Sequence, residues 1–130
     1  MAAVLLGVLT DIGGSFAAGF LVVIAFGISL GLQGVRPEEI ERIVTEFDPW
    51  SWPMIASYSV GCLFSGLGGF VCARVARHSE LKLAGIVATV GVLFGWSMGS
   101  GAMPLALHGA LTVLSVGAVL LGAWLGAARR

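Results

Sequence analysis

Four long apolar stretches dominate this sequence, each close to the ~20 residues that a helix needs to cross a bilayer. They lie at about 5–32, 53–74, 82–102 and 104–127, and their interiors hold one carboxylate, Asp11, and one histidine, His108. A chain of this kind can satisfy its backbone in lipid only by closing every hydrogen bond within helices. Its composition, 58% apolar and 11% charged, lies outside the range of soluble domains, roughly 45–50% and about 25%. The reading is an all-α membrane protein, with residues 1–130 forming a single domain of four transmembrane helices. A short amphipathic helix is expected in the loop at 33–52, between the first and second spans.

Charge sets the orientation. Seven Lys and Arg balance seven Asp and Glu, so no cationic surplus points to nucleic acid, and the expected surroundings are a lipid bilayer. The positive-inside rule compares the short loops at the two ends of a bundle. Arg74, Arg77, Lys82, Arg129 and Arg130 fall on one side; Arg36 and Arg42 fall on the other among five carboxylates. Both termini are therefore expected in the cytoplasm. Trp50, Trp52 and Trp96 then sit near the outer interface and Trp124 near the inner one, the depths such rings prefer. The first apolar run has no basic leader and is too long for a signal-peptide core, so it is expected to be retained. The stretch Gly68–Arg77 is similar to the end of a span in many small bacterial membrane proteins. That likeness covers about a tenth of the chain and implies no activity; the expected location is a bacterial cytoplasmic membrane.

The loop at 33–52 is the one sizeable polar segment. Ile40, Ile43, Val44 and Phe47 recur at helical spacing, Pro37 suits a first turn, and Asp48-Pro49 stops the helix. Such a helix is expected to lie on the outer membrane surface as an anchor. The functional alternative is a docking surface for a partner. Ile40, Phe47, Trp50 and Trp52 would make the contacts in either case.

Asp11 is the most informative residue, because a carboxylate within a span is costly and marks a functional site by default. If the span begins at Ala2, Asp11 lies ~13 Å in, near the midplane. If it begins later, Asp11 is an interfacial N-cap. Small residues four apart, Asp11, Ser15 and Gly19, can face Gly61, Ser65, Gly69 and Ala73 on the antiparallel second span. That register puts Asp11 beside the inner end of the second span, where Arg74 would pair with it as a structural clasp. The rival role for Asp11 is an ion or proton pathway.

His108, about one turn into the fourth span, is read as a hydrogen-bonded interfacial residue, with a protonatable pore mouth as its functional alternative. Gly91, Gly95 and Gly99 make consecutive GxxxG steps. Four such pairs in the chain barely exceed the roughly three that chance supplies, but three glycines in register single out the third span for the closest helix approach. Cys62 and Cys72 are ten residues apart, so one helix would separate them by ~15 Å, too far for a disulfide. No metal-ligand spacing, cofactor motif or catalytic arrangement of Ser/His, paired Asp or HExxH is present, so no cofactor or metal is expected and an enzyme is not. A single intramembrane carboxylate and few buried polar groups favour a non-catalytic accessory or assembly subunit that works by helix packing. The alternative is a small oligomeric transporter or channel with Asp11 in its pathway. A protein partner or a homo-oligomer is expected in either case.

Overall fold

The computed structural model describes residues 1–76, 79–98 and 103–128. All regular structure in them is helical: α1 (Ala2–Val8), a π turn (Leu9–Gly13), α2 (Gly14–Leu32), α3 (Pro37–Thr45), α4 (Trp52–Val75), α5 (Glu80–Met98) and α6 (Leu105–Ala128). The first three run on as one rod of 31 residues. That rod and α4, α5 and α6 are the four helices long and apolar enough to cross a membrane. At about 1.5 Å per residue the first is ~46 Å long, well beyond a ~30 Å hydrocarbon core. Asp11 is therefore not a helix start. It sits inside the π turn, a wide turn of the type that recurs at functional sites.

The rod ends in a Schellman motif. The Val35 and Gly34 amides donate to the carbonyls of Leu30 (3.2 Å) and Gly31 (3.0 Å), and Gly34 takes a φ of +80° that its missing Cβ permits. Pro37 then opens α3, with Glu38 and Glu39 at its positive end. The α3 helix does not project from the bundle. Ile40 lies over Gly27 and Gly31 of α2. Beyond its end, Phe47 and Trp52 both pack on Phe26, with ring centroids 5.4 and 5.7 Å apart. An Asx turn, in which the Trp50 amide donates to Asp48 Oδ1 at 2.9 Å, turns the chain into α4.

Within the bundle α4 is central, packing on α1, α2, α5 and α6. Its tightest partner is α6, which departs from the expectation for the third span. A Cβ on Gly69 would fall on the Val119 carbonyl, and one on Gly122 would fall on the Gly66 carbonyl. At Gly95 a Cβ would meet nothing within 4 Å, and at Gly91 only Asp11. Gly99 lies outside the described residues. The reason is rotation about the helix axis: GxxxG spacing makes one flat stripe, but neighbouring contacts decide which way that stripe faces. The α5 stripe faces a cavity.

Apart from Pro53 at the start of α4, the buried apolar residues are small and gathered at one end: Ala3 and Cys72, Ala73 and Ala76, Ala84, Val87 and Ala88, Val119 and Ala123. That is the end where α1 begins and α4 finishes. Small side chains there let the backbones close, as helices in lipid do. Toward the α3 end the buried core stops and the helices leave space between them.

Candidate functional site

That space is a cavity of about 290 Å³ among the first span, α4, α5 and α6. Its floor is Asp11. The carboxylate is 5% exposed, and its Oδ1 accepts a hydrogen bond from the Ser65 hydroxyl at 2.7 Å. Ser65 Oγ lies 3.0 Å from Ser115 Oγ, so three polar side chains from three helices join in one chain. Their depth follows from the three neighbouring helices. Ser65 lies ~15 Å from the end of α4, Gly91 ~11 Å from the end of α5, and Ser115 ~15 Å from the start of α6. Asp11 thus sits near the middle of the bundle's length.

Backbone shape explains why a carboxylate fits there. A Cβ on Gly68 would come within 2.8 Å of the Asp11 Cβ, and one on Gly91 within 3.1 Å of Asp11 Oδ2. Two helices therefore lack a side chain where Asp11 needs room. From this floor the cavity runs toward the α3 end, past Ser15, Gly61, Cys62 and Gly95 to Ser57, Tyr58 and Met98. Phe16 and Phe94 meet edge to face across it, with centroids 5.7 Å apart. The Tyr58 hydroxyl is buried at this wall without a hydrogen-bond partner among the described residues. Span hydroxyls are often absorbed by their own helix, as Ser57, Ser59 and Thr89 are here, each bonding the carbonyl four residues back. Ser65 and Ser115 instead bond across helices.

A second cavity, of about 230 Å³, lies between α5 and α6 and shares Gly91, Gly95, Leu111 and Ser115 with the first. His108 lines it from the first turn of α6, its ring 4.7 Å from that of Trp96. Thr112 ties the two elements: its hydroxyl accepts from Trp96 Nε1 at 3.1 Å and donates to the His108 carbonyl at 2.9 Å.

The expected residues fall out unevenly. Asp11 meets Ser65, and the Ser15 hydroxyl reaches the Gly61 carbonyl at 3.5 Å, so the antiparallel register of those stripes is the one observed. A Cβ on Gly19 would touch nothing within 4 Å, and Gly69 faces α6 instead of the first span. Arg74 does not join Asp11. It is exposed with its guanidinium 5.9 Å from the Phe70 ring, and it lies nine residues beyond Ser65, two and a half turns onward and so on the opposite side of α4. Of the loop residues, Ile40, Phe47 and Trp52 contact the first span, whereas Trp50 is 65% exposed. Phe16, Tyr58, Phe94 and Ser115 were not singled out by sequence. Ser115 had one usable signal, a hydroxyl mid-span on α6 level with Ser65. Both cysteines are free, and no group of His, Cys, Asp and Glu among the described residues could hold a metal ion.

Comparison with protein-family models, with curated proteins and with solved structures finds no match.

Proposed function

We propose that this chain is a small carrier or channel of a bacterial cytoplasmic membrane, non-enzymatic, with Asp11 at the inner limit of an outward-facing solute cavity. The observation that carries this is the meeting of Asp11, Ser65 and Ser115 at mid-bundle, beneath a cavity whose wall includes Phe16, Tyr58 and Phe94. Ligand sites in membrane bundles are mostly apolar with a few convergent polar groups, and an ionisable residue within a span belongs to a path or a partner. Scarcity of buried polar groups was the argument for an accessory subunit, and this cluster weakens it. The positive-inside rule supports this reading, because it favours a cytoplasmic place for the basic end of the bundle, and the cavity then opens to the outside.

The second reading is an accessory or assembly subunit. Trp50, left exposed when its loop neighbours pack on the first span, favours a docked partner there. The deciding experiment reconstitutes the purified chain in vesicles under a gradient of monovalent cations and follows uptake with an internal dye. Flux that vanishes in Asp11→Asn, from a homo-oligomer or a monomer, supports the carrier or channel. No flux, together with a stoichiometric second chain retained in mild detergent, supports the accessory subunit.

A further inference from the structure

We propose that the cavity above Asp11 takes a small organic monocation, an alkyl- or arylammonium, with the carboxylate as counter-charge and aromatic rings around its apolar part. The inference rests on the reading of this cavity as a solute site and names the solute's class.

Charge comes first. Asp11 is the only carboxylate among the lining residues, and no Lys, Arg or His lines the cavity among the described residues. A carboxylate offers about four acceptor positions. Ser65 fills one, on Oδ1, while Oδ2 is turned to Gly91, which has no side chain to bond it. An anion would meet an uncompensated like charge here, and a cation would meet its counter-ion.

Size and wall chemistry separate an organic cation from a metal ion. A hard divalent ion needs about six or more oxygens in a tight shell. This floor supplies the two oxygens of Asp11 and the hydroxyls of Ser65 and Ser115. The volume of about 290 Å³ is far more than one bare ion fills. The rest of the wall is mostly apolar and aromatic, and its Ser15 and Ser57 hydroxyls are bonded to the carbonyls of Gly61 and Pro53. The Phe16–Phe94 pair and Tyr58 put three aromatic rings in this wall, and attraction of an onium group to such rings strengthens where water is excluded.

Cys62 lines the cavity and Cys72 is wholly buried, so the natural protein carries its own reporter. The full chain, in an uncharged detergent, is treated with methanethiosulfonates bearing a trimethylammonium, a sulfonate or a methyl group. Each rate is divided by that reagent's rate with a free thiol, and Cys62→Ala shows which cysteine reacts. The expected result is modification of Cys62 by the ammonium reagent about tenfold or more faster than by the sulfonate, the size of one partly screened charge contact. In Asp11→Asn the ratio should fall toward unity, and an unchanged rate with the methyl reagent would show the fold intact. If neither charged reagent reacts, the cavity is no route for polar solutes and the function proposed above falls with the inference. If both charged reagents react at equal normalised rates in the natural protein, the solute site stands and its preference for cations is wrong. That arm needs no variant to fold. A cation preference that survives in Asp11→Asn would overturn the role of Asp11.

Discussion

Ser65 donates its hydroxyl to the Asp11 carboxylate at 2.7 Å, linking the first span to α4 near the middle of the bundle. Removing the donor leaves a buried acceptor unsatisfied, which costs ~1–3 kcal/mol. Ser65→Ala should therefore lower stability in detergent by that amount, measured by thermal or denaturant unfolding. Ser115→Ala, which touches the carboxylate only through Ser65, should cost less. Equal losses would mean that the two hydroxyls hold the carboxylate jointly.

Arg74 and Asp11 lie on different faces of the α4 contact, which fixes the outcome of a double-mutant cycle. Residues that share no partner add within about 0.5 kcal/mol, whereas residues in one hydrogen-bond network couple by ~0.5–3 kcal/mol. Asp11→Ala with Arg74→Ala should be additive, and Asp11→Ala with Ser65→Ala should not. A strong Asp11–Arg74 coupling would restore the clasp that the sequence register suggested.

Much of the architecture is legible in the sequence because long apolar runs and loop periodicity are one-dimensional signals. The second span starts at Trp52, one residue from the expected Pro53, and α3 occupies the expected loop, opening on Pro37. The site was legible only in part. Asp11 stands out by cost alone, and the register with Ser65 follows from small residues four apart. Whether a glycine touches a backbone or faces a void depends on how its helix is rotated, and spacing is blind to that. Gly95 and Gly122 have the same GxxxG signature; one borders a cavity and the other meets a carbonyl. The π turn leaves no mark in Leu9-Thr-Asp-Ile-Gly13, since no proline or charge pair announces it. Phe26 likewise reads as one more apolar residue until Phe47 and Trp52 are seen to pack on it.

Orientation rests on seven basic residues and is open to direct test. Glu41 is exposed in α3 and Ser79 is exposed at the opposite end of the bundle. In a Cys62→Ala background and intact cells, Glu41→Cys should react with an impermeant thiol reagent. Ser79→Cys should react only after the membrane is permeabilised. The reverse pattern would invert the bundle, make the cavity open to the cytoplasm, and require the positive-inside count to have failed.

Gly95 and Gly122 give the sharpest contrast. At Gly122 even one methyl group would fall on the Gly66 carbonyl, so α4 and α6 must separate. Overfilling a packed contact costs roughly 1–3 kcal/mol, and backbone against backbone has no rotamer to yield. Gly122→Ala should lower the unfolding midpoint accordingly. At Gly95 there is open space within 4 Å, and the residue lines both cavities. A Cβ there meets no neighbour and Gly95→Leu gains helix propensity of up to ~1 kcal/mol, so stability should hold or rise slightly. Its four added carbons should occupy the route from Met98 down to Asp11. Labelling of Cys62 by the ammonium reagent and solute flux in vesicles should then fall together, with oligomeric state unchanged. If Gly95→Leu instead dissociates a homo-oligomer while Cys62 stays equally reactive, that face of α5 is a protomer interface and not the wall of a solute path.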